Sequence, residues 1–72
     1  MTTEAIKDAL HASPFAPFVI EVAGGKRFEV QHPDFVAVSP GGRTLTLYTE
    51  GEHSVVLDVG LISQLERRTS AA

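Results

Sequence analysis

Short apolar runs, separated by turn residues at nearly even spacing, are the feature that most constrains the fold of this chain. After Pro17 the runs are Phe18–Val22, Phe28–Val30, Phe35–Val38, Leu45–Tyr48 and Val55–Val59. Glycine, proline, aspartate and serine fill the breaks, as in Gly24-Gly25 and Ser39-Pro40-Gly41-Gly42. Strands of about five residues with a turn every ~8–12 residues are typical of an antiparallel meander or small barrel.

A helix is predicted before the first run. Thr2 or Thr3 can cap it, and Ile6, Ala9 and Leu10 form one apolar stripe at helical spacing. Pro14 should end the helix at about Ala12 or Ser13, because a residue before proline avoids the helical region. We therefore expect an α+β fold, with a short N-terminal helix on a strongly bent five-stranded antiparallel sheet or a small SH3/Sm-like barrel. Gly60 should end the fifth run, and Leu61–Leu65 should form a last short strand or a turn of helix.

The length and composition limit the domain organisation and the means of stabilisation. The chain has 72 residues and no cysteine, so only one core fits and neither disulfides nor thiolate–metal sites can support it. We expect one domain over residues 1–66 and a disordered tail over 67–72. Self-association is the remaining means of gaining stability.

The charge argues against a general nucleic-acid surface. The net charge is −3, whereas nucleic-acid binding needs clustered lysine and arginine in excess. The first ten residues carry Glu4 and Asp8 and do not resemble a signal peptide. No run approaches the ~18 apolar residues of a membrane span. A cytoplasmic location with no membrane partner is therefore expected.

The segment His32-Pro33-Asp34 is the best candidate for a chemical site, since a rigid turn holds an imidazole near a carboxylate. A structural corner is the favoured interpretation, because Pro33 cannot donate to a strand ladder. A metal site from His11, His32 and His53 has no support from spacing. With no cysteine nucleophile and no G-x-S-x-G pattern, we expect neither an enzyme nor a metal or other cofactor.

Two other sets of residues are candidates for interaction. Lys26, Arg27 and Arg43 flank turns and could approach one another in a closed barrel, with Tyr48 and Phe35 as stacking platforms for single-stranded nucleic acid. The acidic total favours the simpler interpretation, in which these cations solubilise turns and edges.

Valines give the second set. Val36, Val38 and Val56 lie in runs that are apolar on both faces. Because both faces of a small sheet cannot be core, either the helix or a neighbouring subunit must cover one of them. This pattern favours a homo-oligomer, and a small non-enzymatic protein-interaction or self-assembly module is the leading functional prediction. A small-barrel RNA-binding protein is the alternative.

Most of the chain resembles a group of small bacterial proteins with a short N-terminal helix and the pattern P-F-x-P-F-x-I, a glycine turn, V-x-H-P-x-F and a closing I-x-x-L-E segment. The matching residues here are Pro14–Ile20, Gly24-Gly25, Val30–Phe35 and Ile62–Glu66. This resemblance implies a bacterial origin and no particular activity.

The chain also resembles, more weakly, the Sm-like family, whose members begin with a helix and continue with five strands that assemble into rings. Gly60–Leu65 is similar to the second motif of that family, and Asp34 matches an acidic residue at the end of the first. Val59 and Gly60 stand where the family has basic or histidine contacts. The resemblance implies a barrel fold, ring assembly and RNA binding.

Overall fold

A computed structural model describes residues 2–50 and 53–67 of the chain. Within these residues one α-helix precedes six β-strands, which form two three-stranded antiparallel sheets. The elements are α1 (Thr3–Leu10), β1 (Phe18–Val22), β2 (Arg27–Val30), β3 (Val36–Val38), β4 (Thr44–Tyr48), β5 (Ser54–Asp58) and β6 (Ile62–Arg67). The first sheet has the order β2-β1-β6 and the second has the order β3-β4-β5.

The predicted N-terminal helix is confirmed, but it is shorter than expected. Thr2 is its N-cap, and the Thr2 hydroxyl accepts a hydrogen bond from the Ala5 N–H at 3.3 Å. The helix ends at Leu10, and His11 serves as the C-cap. The chain thus leaves the helix before the restriction imposed by Pro14 begins to act. No helix in the described ranges is both long and apolar enough to cross a membrane.

In the first sheet, β1 lies at the centre and pairs with both neighbours. Phe18 is opposite Val30, and Ile20 is opposite Phe28 on one side and Leu65 on the other. The side chains of Phe18 and Ile20 are fully buried. The alternation of β1 therefore aims one face of this sheet at the core, as the period of two predicts.

In the second sheet, β4 is central and its buried leucines define the inner face. Leu45 pairs with Val38 and Leu57, and Leu47 pairs with Val36 and Val55. The row Ala37–Thr46–Val56 lies on the opposite, outer face. This sheet packs its leucines inward and leaves the other face in contact with solvent.

The chain changes sheets at 3₁₀ turns. Pro33–Phe35, the first corner, joins β2 to β3, and Val59–Leu61, the second corner, joins β5 to β6. Pro33 begins the first corner and has no N–H for a strand ladder. At the second, Asp58 accepts a hydrogen bond from the Gly60 N–H at 2.8 Å. Both corners fold one sheet over the other around a shared interior.

That interior is a single apolar cluster to which the helix and both sheets contribute. Its buried members are Ile6, Ala9, Leu10, Phe18, Ile20, Val30, Val36, Leu45, Leu47, Val59 and Ile62. At the other end of the helix from Leu10, the Thr3 hydroxyl donates to the Gly42 carbonyl at 2.8 Å in the β3–β4 turn. The helix thus seals the space between the sheets and is tied to the second sheet.

Two parts of the fold prediction need correction. The described residues form six strands rather than five, and no barrel is closed. Residues 62–67 form a full strand, β6, whose apolar residues Ile62 and Leu65 are three apart because the register with β1 shifts between Glu21 and Val22. This bulge removes the period of two by which strands are recognised.

Several predicted boundaries also change. Phe35 and Val59 lie in the 3₁₀ corners rather than in strands. Of the predicted tail over 67–72, Arg67 belongs to β6, and residues 68–72 lie outside the described residues. Gly51 and Glu52 of the predicted Glu50-Gly51-Glu52 turn also lie outside them.

The contact between α1 and the β3–β4 turn makes Gly42→Ala destabilising. Gly42 has φ of +72°, and an added Cβ would lie 2.9 Å from the Thr3 hydroxyl oxygen. We expect a loss of about 1–2 kcal/mol from the left-handed backbone alone, and the melting temperature should fall by roughly 4–8 °C per kcal/mol. Thermal unfolding followed by circular dichroism measures this.

The matched control for this prediction is Gly41→Ala. A Cβ at Gly41 meets no atom within 4 Å, and its φ is outside the left-handed region. The Gly41 variant should keep the melting temperature or raise it slightly, through the lower entropy of its unfolded state. Equal losses in the two variants would show that neither the close approach nor the positive φ matters.

Candidate functional site

A groove of about 310 Å³ lies on the outside of the molecule beside the first corner. Its lining residues come from β2 and the residue after it, from the first corner, and from the end of β4 and the two residues after it, so three separate segments build it. They are Glu29, Gln31, Phe35, Tyr48, Thr49 and Glu50, and we call this surface the acidic aromatic groove. It combines two aromatic rings with two carboxylates.

The aromatic rings of this groove are accessible to solvent. Phe35 is 41% exposed and Tyr48 is 48% exposed, which is high for rings of this size. The His32 ring stands edge-on to the Phe35 ring, with centroids 5.5 Å apart and an interplanar angle of 75°. The imidazole of the predicted His32-Pro33-Asp34 site therefore packs against a ring of the groove.

Two carboxylates, those of Glu29 and Glu50, line the groove. Glu29 points outward from β2 because its neighbour Val30 is buried in the core. The Gln31 amide donates a hydrogen bond to the Glu29 carboxylate, so Glu29 is already engaged, and the charge of the groove depends on Glu50. An exposed aromatic surface beside the Glu50 carboxylate favours cations over anions.

The outer face of the first sheet continues from Glu29 as a network of charged side chains. Arg27 donates to Glu21 and to Glu66, each at 2.8 Å, and so links all three strands of that sheet. Val19 lies between Glu29 and Glu66 on this face and is only 3% exposed. The stems of these long side chains account for the burial of a valine outside the core cluster.

Glu66 and Glu21 raise the pKa of the Arg27 guanidinium, chiefly through the charge of Glu66 and the hydrogen bond to Glu21. Because the pKa is raised, the stabilisation that Arg27 gains from these two carboxylates is complete at any pH below the ordinary pKa of arginine. It is lost only as the pH rises above that value. Arg27 is therefore charged throughout the neutral range and is already engaged with two carboxylates. An exposed pair of this kind contributes little to folding stability.

The described residues do not bring the predicted basic group together with Tyr48. Arg43 precedes β4 and Tyr48 ends it, which separates them by about 17 Å along the strand. The Lys26 ammonium lies 5.8 Å from the Phe28 ring centroid, and Arg27 is bound to its two carboxylates. The aromatic ring proposed for stacking thus lies beside Glu50 rather than beside these cations.

The three candidate valines occupy different environments. Val36 is buried in the core, and Val38 is half-buried against it, so both belong to the interior rather than to an outer face. Val56 is 65% exposed on β5. Of the three, only Val56 is available to a partner.

The remaining candidates for chemistry do not converge. His32 and Asp34 are exposed at the first corner, His11 follows the helix, and His53 precedes β5. Within residues 2–50 and 53–67, no three histidine, aspartate or glutamate side chains are grouped so that they could hold a metal ion. Among the described residues, the groove is therefore the surface on which candidate side chains do come together.

Sequence reasoning named Phe35 and Tyr48 but did not connect them with Glu29, Gln31, Thr49 or Glu50. The alternation of β2 already indicated that Glu29 and Gln31 point outward. What the pattern lacked was the position of the first corner, which determines that the outer face of β2 meets the end of β4. The corner thus converts separate surface residues into a concave site.

Comparisons with known proteins add no identification. No protein-family model matches this sequence, and neither the curated proteins nor the solved structures provide a match. The function is therefore inferred from the groove and the strand edges themselves.

The charge of the groove makes a prediction for the fluorescence of Tyr48, which is the only tyrosine in a chain without tryptophan. Carboxylates concentrate cations near the ring, so cesium should quench the emission of Tyr48 more efficiently than iodide does, relative to free N-acetyltyrosinamide. Added inert salt should reduce the difference, because it screens exposed charges.

Glu50→Gln and Glu4→Gln make a matched pair for this measurement. Both remove one negative charge, but Glu4 lies on α1 rather than in the groove. Only Glu50→Gln should bring the quenching by cesium and by iodide closer together. If the two variants behave alike, the net charge of the protein, and not the groove, controls the quenching.

Proposed function

We propose that this protein is a small non-enzymatic protein-interaction module that associates with a second copy of itself through the free edge of β5. The single observation that carries the proposal is the exposure of Val56 on this strand, 65%. In the described part of the chain, β5 pairs with β4 on one side, and no strand pairs with its other side. An unpaired strand edge is a template for a strand of another chain.

A comparison of the four sheet edges among the described strands favours β5. β2 carries Arg27 and Glu29, β6 ends in charged residues, and β3 has only three residues. Charges and shortness are the usual protections of an edge. β5 has five residues, reads Ser-Val-Val-Leu-Asp, and contains neither lysine nor proline.

A two-fold axis beside Val56 gives a self-complementary arrangement. Two β5 strands would pair antiparallel, with Val56 opposite its own copy and Val55 opposite Leu57 of the partner subunit. Such pairing is isologous and closes at a dimer. Val55 and Leu57 are only half-buried in one copy, so the contact would cover apolar surface as well as satisfy backbone groups.

The small size of this contact limits its strength. Stable protein interfaces bury about 1,200–2,000 Å² in total, and a pair of five-residue strands covers less than that. The proposed dimer is therefore weak, and its population depends on protein concentration. This places it among transient rather than obligate assemblies.

Nucleic-acid binding and a cytoplasmic location remain predictions from the sequence. The proposal does not include RNA binding, because Arg27 is already paired with Glu21 and Glu66 and Tyr48 lies beside Glu50. Phosphate groups approaching that ring would meet carboxylates of the same sign. The absence of catalysis in the proposal rests on the sequence, which has no cysteine and no nucleophile motif.

Val56→Lys should abolish the dimer, because a charge on the outer face of this edge opposes its own copy across the axis. We expect sedimentation velocity of the wild-type protein to show a monomer at low micromolar and a growing dimer fraction towards millimolar concentration. The Val56→Lys variant should remain monomeric throughout, with an unchanged circular dichroism spectrum.

Ala37→Lys is the matched control for this experiment. Ala37 is exposed in the same cross-strand row as Val56, but on β3, the other edge of the second sheet. This variant should dimerise like the wild type. A wild-type protein that is strictly monomeric near millimolar concentration would overturn the proposal, as would equal loss of the dimer in both variants.

A further inference from the structure

We infer that the acidic aromatic groove binds an arginine side chain presented by a basic segment of another protein. The inference is independent of the proposed dimer, since a single copy supplies every residue of the groove. It assigns to Phe35, Tyr48 and Glu50 a role that neither the strand edges nor the core requires.

Two exposed aromatic rings in the groove favour a cationic ligand. Phe35 is 41% exposed and Tyr48 is 48% exposed, although the chain buries other large apolar side chains such as Phe18 completely. The faces of aromatic rings attract cations, and the attraction is about 0.5–1 kcal/mol at an exposed site. The protein itself uses this contact elsewhere, where the Lys26 ammonium lies over the Phe28 ring.

The Glu50 carboxylate determines the sign of the ligand. Glu50 lines the groove together with Tyr48, whereas Glu29 accepts a hydrogen bond from the Gln31 amide and is already engaged. The neighbouring Arg27 is bound to Glu21 and Glu66, so its charge is already compensated on that face. A cationic ligand is therefore complementary to the groove, whereas a phosphate is repelled.

The size of the groove and the chemistry of its walls select arginine. A volume of about 310 Å³ is at the small end of the ~300–1,000 Å³ range of ligand pockets and suits one long side chain. The guanidinium is planar and weakly hydrated, stacks on aromatic faces and forks onto carboxylates, whereas the lysine ammonium is a strongly hydrated point charge. Both the stacking of the guanidinium on aromatic rings and its forked pairing with a carboxylate match the groove.

The test is a titration with a short peptide of alternating glycine and arginine, which contains no aromatic residue. Tyr48 is the only tyrosine and there is no tryptophan, so its fluorescence reports the groove directly at low micromolar protein concentration. We expect a saturable change with the arginine peptide, a weaker one with the matching lysine peptide and none with the glutamate peptide or with single-stranded oligouridine.

Variants then locate the binding. Phe35→Leu keeps apolar bulk but removes the ring face, and Glu50→Gln removes one charge. Each should weaken binding by roughly two- to fivefold. Glu4→Gln, which removes the same charge from α1, should leave the affinity unchanged. Circular dichroism of each variant confirms that the fold is retained.

Three results would overturn the inference. Equal weakening by Glu4→Gln and Glu50→Gln would assign the binding to net charge alone. Equal affinity for the lysine and arginine peptides would remove the assignment to a guanidinium. A saturable response of Tyr48 to oligouridine would replace the basic segment with a nucleic acid as the ligand of this groove.

Discussion

The folding of one sheet over the other at the two 3₁₀ corners is the constraint on which the rest of the structure depends. A chain of 72 residues without cysteine can build only one core, because small domains bury a smaller share of their surface. At Pro33 the ladder cannot continue, and at Gly60 the Asp58 side chain holds the turn. The corners bring Ile20 of one sheet and Leu45 of the other into the same apolar cluster, and α1 covers what remains.

The same corners explain why the surface is uneven. The strands that change sheets at a corner do not pair with each other, so each sheet keeps two edges in the described chain. Residues at the corners are drawn partly out of the core, and both Phe35 and Leu61 are exposed there. Charged residues protect β2 and β6, whereas β5 has a single charged residue, Asp58, at its end. The sites proposed for contact thus arise where the fold leaves its apolar surface unpartnered.

Much of the fold, and little of the site, follows from the sequence. The alternation around Ile20 and Leu45 and the cap at Thr2 predict elements that the structure contains, because these signals act within a few residues. β6 was harder to predict, since its bulge removes the alternation. Val19 alternates outward yet is buried, because Arg27 and Glu66 cross the sheet. The groove joins β2 to the end of β4, and no local pattern encodes that distance in space.

Electrostatics favours a cation over a nucleobase as the ligand that we propose for Tyr48. An exposed ring alone suits a nucleobase or a cation equally, since both stack on its face. The Glu50 carboxylate borders the same space, while Arg27 is held by Glu21 and Glu66. At the short distances within a groove, charges interact far more strongly than the average charge of the molecule suggests. The position of a few charged side chains around one ring therefore carries more functional information than the net charge of −3.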